Sequence, residues 1–315
     1  MRAIGIIEAG PPATIQDLGR FGFRDRGVPV SGAMDRQALV VGNLLVGNDP
    51  GAAAIEITLG GFKAEFLCDA HFAVTGADHA PTLNGVPVSS WTCHAAGRGD
   101  SLHLGYPGSG LRSCLAVSGG VAVPEIMGSR STYLRGGFGG HEGRPLRKGD
   151  VLPLGNVVGK PIFAFPSGLI PPYSDRPTVR IIPGPQEDRV TEEGMQSFLS
   201  GLYEVTTRSD RMGIGLSGPP IGLACGADIV SDGTCAGAIQ VSGNRQPTVL
   251  AADCQTTGGY VKIATVISTD LPLLAQLPAG AGIRFTAVGL LEAREVYLKN
   301  QYQLRSFYDR YGIAT

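Results

Sequence analysis

Lysine is scarce in this chain of 315 residues: only Lys63, Lys148, Lys160, Lys262 and Lys299 occur, and arginine outnumbers them. Charged residues make up 17% and the formal net charge is −1, which leaves no basic excess for nucleic acid or an anionic membrane as partner. No run of about 18 uncharged apolar residues exists to span a bilayer as a helix. The opening MRAIGIIEAGPPATIQD has too short an apolar run, and too early an acid, for a signal peptide. The six cysteines (Cys68, Cys93, Cys114, Cys225, Cys235, Cys254) form no CxxC pair, so neither a zinc site nor a disulfide framework is expected, and a reduced cytoplasm is the expected setting. His71, His79, His94, His103 and His141 lack metal-ligand spacing, so no metal is expected. A GxxxxGK[ST] phosphate loop, a G-x-S-x-G elbow and an H-E-x-x-H helix are all missing.

What the chain does contain is glycine and proline, 47 and 22 residues, without a collagen period and set among apolar runs. That is the pattern of a mainly β protein with many tight turns. Alternation in IRFTAVGLL predicts a strand with Ile283, Phe285 and Ala287 on one face and Arg284 and Thr286 on the other. TVRIIPG (178–184), FAVTGA (72–77) and LRSCLAVSGG (111–120) read as further strands. AGRGDSLHLG, LRKGDVLPLG and, less closely, LPAGAGIRF echo one another, each as a turn whose glycine takes positive φ before a strand. Helices are few. MDRQALVVGNLLVG sets Met34, Ala38, Val41 and Leu45 on one face, with Ser31 or Asp35 as N-cap. A second helix starts at Thr191 and runs through Phe198 and Leu199. A C-terminal helix carries Leu290, Tyr297, Leu304 and Tyr311 at seven-residue intervals before Gly312, a stripe expected to dock the tail on its own body. The proline-rich stretch 156–177 is the expected linker between two halves.

Two polar, glycine-punctuated blocks stand out: residues 14–48, and 208–220 continuing through 231–243 to 251–266. Gln16, Asp17, Arg20, Arg26 and Asp35 in the first, and Arg211, Gln240, Asp253, Gln255, Thr256 and Thr257 in the second, lie beside apolar stretches that look buried. Polar groups in such places need partners. Either they brace the ends of barrels, with Asp17 and Asp253 accepting from turn amides, or they form a site. The glycine-rich RGGFGGHEGR (135–144) has no helix after it and reads as a mobile turn rather than a phosphate cradle.

TIQDLGRFGFRDRGVPVSGAMD, VGNLLVGN, AAIEITLGG, LAVSGGV, GSRST, RSDRMG, GAIQV and QTTGGY, in this order and spacing, resemble the biotin-dependent carboxyltransferase family, whose members are also called allophanate hydrolase subunit 2 or the 5-oxoprolinase C subunit. The resemblance covers nearly the whole chain, to about Glu292. It implies two cyclophilin-like β-barrel domains, residues 1–165 and 166–315, the second carrying the helical tail. Within the family, some members pass a carboxyl group from carboxybiotin to urea, others are one subunit of a bacterial ATP-dependent 5-oxoprolinase, and a few antagonise a histidine-kinase inhibitor. With no biotin-attachment segment and no nucleotide-binding half in this sequence, the expected role is a 5-oxoprolinase subunit that is silent alone. Its expected companions are a subunit resembling allophanate hydrolase subunit 1 or the kinase-inhibitor family, and a lactam-utilisation subunit. ATP would enter through the complex; carboxybiotin from a partner is the alternative. Gly215, Val261 and Gly280-Ala281 stand where the family usually has Arg, Pro and a Gly-Asp turn.

On this reading Arg20, Arg26 or Arg211 would take a substrate carboxylate or phosphoryl group, since the guanidinium fork matches two oxygens. Gln16, Gln240 and Gln255, with Thr256 and Thr257, would orient the amide. Asp17, Asp35 or Asp253 would act as general base.

Overall fold

The computed structural model describes residues 2–310. The chain forms two compact units: one holds the residues up to Phe23 together with Val30–Tyr173, and the other holds Arg24–Pro29 and the chain from Ser174 onward.

In the first unit the strands form a six-stranded and a five-stranded sheet. Period-two patterning builds both. In Phe62–Phe66 the phenylalanines and Ala64 are buried while Lys63 and Glu65 are half-buried. Ile4, Phe62, Phe66 and Leu104 from one sheet meet Ile15, Ile55, Phe72 and Leu115 from the other in a single core. The rings of Phe66 and Phe72 lie 5.2 Å apart. Helix α1 (Arg36–Leu45) starts at Asp35, whose side chain accepts from the Ala38 amide, so Asp35 rather than Ser31 is the cap. The helix packs on the strands Ala70–Asp78 and Ser109–Val117.

The second unit is a closed seven-stranded barrel. Hydrogen bonds run from Thr178–Pro183 to Gly282–Ala287, Tyr203–Val205, Gly213–Ser217, Pro247–Leu250, Ala238–Val241 and Thr257–Val266, which pairs back onto Thr178–Pro183. Closure leaves no free edge in the ring. Asp228–Gly233 hangs on Thr257–Val266 as an eighth strand. Ile181, Ile214, Ile239, Val249, Ile263, Ile283 and Phe285 fill the interior. Arg284 and Thr286 face out as the alternation predicted, but Ala287 is exposed because the strand ends there. Helix α2 (Glu192–Ser200) is capped by Thr191 Oγ1, and its Phe198 stacks on Phe285 at 4.7 Å. A short α3 (Leu271–Ala275) and a long α4 (Leu290–Arg310) complete the unit. The three echoed turns are real: Gly99, Gly149 and Gly280 have φ of 94, 92 and 86°, each ahead of a strand.

The proline-rich stretch 156–177 contains the point where the chain passes from one unit to the other, after Tyr173, and up to there it is packed: Ile162 and Phe165 are buried, and Phe165 donates its amide to Trp91 O. Two sequence-based expectations are corrected. Of the described residues in the seven-residue stripe of the tail, Leu304 docks and the other two do not. Leu290 and Tyr297 are 71% and 44% exposed, and the inward face is Ala293, Val296, Asn300, Leu304 and Phe307, at helical spacings of three and four. Tyr311 and Gly312 lie outside the described residues. The glycine-rich loop is packed tightly rather than left as a loose turn. A Cβ on Gly139 would lie 2.1 Å from Ser131 O and 2.9 Å from the Arg20 guanidinium, and one on Gly140 would strike the Thr132 hydroxyl.

Candidate functional site

The first polar block folds into a buried lattice. Oδ1 of Asp17 accepts from the Gly19 amide at 2.7 Å, from Ser129 Oγ at 2.7 Å and from Ser131 Oγ, while Oδ2 accepts from the Arg130 amide at 2.6 Å. A carboxylate with four donors is engaged all round by the loop it braces. Arg20 is fully buried: Nε donates to Ile126 O, one terminal nitrogen to Ser131 O, and its guanidinium lies 4.9 Å from the Phe138 ring centroid. Gln16 donates to Thr14 Oγ1 and Thr132 O, and its Oε1 is buried without a hydrogen-bond partner among the described residues. Asp35 divides its oxygens between the Ala38 amide and the Tyr173 hydroxyl, the latter at 2.6 Å. Arg26 is exposed on a short 3-10 turn. Ser129 and Ser131, which hold Asp17, carried no sequence signal beyond their place in GSRST.

A cavity of about 600 Å³ opens elsewhere in this unit, lined by Asp78, Ser90, Trp91, Ser109, Pro171 and Tyr173 among others. Near it His79 is buried. Ser113 Oγ donates to Ala77 O, so His79 Nδ1, 2.6 Å from Oγ, carries the ring proton. Burial pulls this imidazole down to about 4, against the opposing pull of the Ala77 carbonyl and Asp78.

The second polar block gathers on the barrel of the other unit. Arg211 grips Asp253 with two bonds, Nε to Oδ2 at 2.9 Å and a terminal nitrogen to Oδ1 at 3.0 Å, and the Asp253 amide returns to Arg211 O. Gln255 Nε2 donates to Gln240 Oε1 at 3.2 Å. That bond fixes the orientation of the Gln240 amide, whose Nε2 is buried with no partner among the described residues. A Cβ on Gly258 would sit 2.6 Å from that nitrogen, so glycine here is what lets the Gln240 amide lie against the backbone. Thr234 Oγ1 donates to Gln255 O, and the Thr234 amide to Thr256 O. Thr257 is exposed.

Arg24, which sequence reasoning passed over between Arg20 and Arg26, belongs here. Its guanidinium donates to Thr234 O and, at 3.4 Å, to Thr256 O. Lys262 was missed as well. It is 4% exposed, and its ammonium donates to Asp232 Oδ2 at 2.9 Å. The bond from Lys262 holds the Asp232 carboxyl below its usual range. The signal was present in YVKIATV, where one cation stands between two core-facing residues of a strand. Val261, at the position where the family usually has proline, donates its amide to Ala227 O, a bond that proline would lose.

The family model described as "Carboxyltransferase domain, subdomain A and B" matches residues 26–287. The chain belongs to the carboxyltransferase family. Two curated members align over nearly their full length. The Escherichia coli K12 protein, named as the C subunit of 5-oxoprolinase, is 41% identical over 288 residues, 91% of this chain and 92% of that one. The Haemophilus influenzae protein of the same name is 38% identical, with 96% of each chain covered. Among solved carboxyltransferase structures, the K. lactis urea amidolyase superposes with a TM-score of 0.92 at 31% identity over 97% of this chain, which spans about a fifth of that longer one, covering 20%. The mainly β architecture read from the sequence is therefore that of the family, and both polar blocks fall within or beside the matched segment. Among the described residues no cluster of three His, Cys, Asp or Glu could hold a metal, and no helix is long and apolar enough to cross a membrane.

Proposed function

We propose that this chain is the C subunit of an ATP-dependent 5-oxoprolinase, a cyclic-amide hydrolase that opens 5-oxo-L-proline to L-glutamate and is silent without its companion subunits. The observation that carries the reading is reciprocal coverage: both proteins named as 5-oxoprolinase C subunits match over more than nine-tenths of both chains, at 91% and 92% for one and 96% and 96% for the other. The partners on this reading are a subunit resembling allophanate hydrolase subunit 1 and a lactam-utilisation subunit, and ATP enters through the assembled complex. A cytoplasmic setting agrees with six free cysteines.

A lactam resists water at neutral pH because amide resonance feeds the carbonyl. Transfer of the ATP γ-phosphoryl group to the carbonyl oxygen, with release of ADP, makes the carbon electrophilic; one water adds, the C–N bond breaks to the amine and leaves an acyl phosphate, and a second water cleaves that to the carboxylate and inorganic phosphate. What this chain supplies is position and charge. Gln240, Gln255 and Arg24 present donors around the Thr234–Gly258 region, and the Arg211–Asp253 pair fixes the turn that carries Gln255, Thr256 and Thr257. Asp17, Asp35, Gln16 and Arg20 hold the loops of the other unit, and Arg26, exposed on its 3-10 turn, would contact ligand or partner.

The second reading is carboxyl transfer from carboxybiotin to urea or a related amide, favoured by the TM-score of 0.92 to urea amidolyase. Co-expression with the two companions separates the readings. The complex should release glutamate from 5-oxo-L-proline only with ATP, and the chain alone should release none. Turnover by the isolated chain would overturn the subunit reading. Activity that requires a streptavidin-reactive partner would favour carboxyl transfer.

A further inference from the structure

Gln240 and Lys262 stand directly opposite one another in the antiparallel ladder of Ala238–Val241 with Thr257–Val266. Opposed residues share a face, with Cβ atoms about 5 Å apart. A register shift falls immediately before Gln240, between Ile239 and Gln240. Bulges of this kind re-aim side chains. Here Ile239, Val241, Val261 and Ile263 go into the core while Gln240 and Lys262 take the other face.

Both side chains are buried, at 5% and 4% exposure. The Gln240 Nε2 group has two N–H donors and no acceptor among the described residues, because Gln255 has taken the Oε1 side of the amide. The Lys262 ammonium has three donors and one acceptor there, Asp232 Oδ2. Two adjacent buried groups are thus short of acceptors, and a buried donor without a partner is costly. Gly258 is the glycine from which a side chain would crowd the Gln240 nitrogen.

We infer that Gln240 and Lys262 form a subsite for the carboxylate of a small ligand. This rests on taking the Arg24, Gln240 and Gln255 cluster as the ligand site, and it deepens that reading by naming the ligand chemistry. Two neighbouring N–H groups suit the two oxygens of one carboxylate. Charge selects a monoanion: Lys262 and Asp232 cancel, and Arg24, bonded to the uncharged carbonyls of Thr234 and Thr256, leaves one positive charge. A dianionic phosphate would bring an uncompensated charge into a nearly dry place.

The test uses the full-length chain and four probes followed by NMR: 5-oxo-L-proline, its analogue without the carboxylate, 2-pyrrolidinone, inorganic phosphate, and acetate as a minimal carboxylate. 5-Oxo-L-proline and acetate should shift the Gln240 side-chain amide resonances, while 2-pyrrolidinone and phosphate leave them in place. Lys262→Met should weaken both carboxylates by about tenfold or more, the loss expected for a charged hydrogen bond. Gly258→Ala should do the same by displacing the Gln240 amide. It needs no positive φ, and its Cβ meets only side-chain atoms, so the fold is kept. Carboxylates that leave these resonances in place, or that bind Lys262→Met as tightly as wild type, overturn the subsite. Phosphate binding more tightly than carboxylate overturns it too. If acetate binds here while 5-oxo-L-proline neither binds the chain nor is opened by the complex co-expressed with its companions, the subsite stands and the 5-oxoprolinase reading falls. If 5-oxo-L-proline binds elsewhere, indifferent to Lys262→Met, the reverse holds.

Discussion

Replacing Asp17 separates a loop brace from a general base. Its carboxylate takes two amides, Gly19 and Arg130, and two hydroxyls, Ser129 and Ser131. In Asp17→Ala the hydroxyls rotate toward other acceptors, but the amides are fixed by the backbone and lose their partner. Each orphaned amide costs about 1 kcal/mol at this partial burial, and the lost charge-assisted hydroxyl bonds add about 1–2 kcal/mol together, so the variant should be about 3–4 kcal/mol less stable. That is a large part of the roughly 5–15 kcal/mol typical of a domain. Asp17→Asn keeps one accepting oxygen and turns an N–H toward a donor, which should cost about 2 kcal/mol. Urea unfolding of both variants, with m unchanged, measures the loss directly. As a brace, Asp17→Asn should keep much of the activity of the assembled complex. An Asp17→Ala variant that unfolds at the wild-type midpoint while the complex loses all turnover would refute the brace and make Asp17 the base.

Two further outcomes are expected. His79 titrates near 4 when folded and near its ordinary 6.5 when unfolded, so the unfolded chain binds the proton first as pH falls. The stability this supplies is intact above pH 6.5, drains as the pH drops below it and is gone near pH 4; the loss is roughly 3 kcal/mol and should be missing from His79→Gln in unfolding curves taken across that window. For the thiols, Cys225 and Cys235 are exposed, while burial pushes Cys114 and Cys254 up and Cys93 to about 11. A thiol reagent should therefore label two cysteines quickly in the native chain and all six after unfolding, leaving the activity of the complex largely intact. Rapid labelling of Cys254, with protection by ligand, would mark it as a nucleophile instead.

Much of the fold was legible locally. Alternation in Phe62–Phe66 and Gly282–Ala287, the caps at Asp35 and Thr191, and the positive-φ glycines at 99, 149 and 280 depend on neighbours a few residues away, and sequence carries that information directly. The long family motifs placed the polar blocks and the carboxyltransferase kinship for the same reason, since contiguous residues meet the same turn. Which face of α4 docks was not legible, because Leu290 and Ala293 differ by only three positions and the choice lies with what Ile267 and Val288 offer from other elements. The division of labour among the polar residues was likewise hidden. Asp17 and Asp253 look alike in sequence, yet one is satisfied by a loop more than 110 residues away and the other by Arg211. Arg24 and Lys262 drew no role from the sequence; closure of the barrel and the register shift beside Gln240 set the lysine opposite an amide whose nitrogen has no partner among the described residues. Sequence names the donors and acceptors; only tertiary structure, by deciding which of them meet and which are left over, determines where a ligand has work to do.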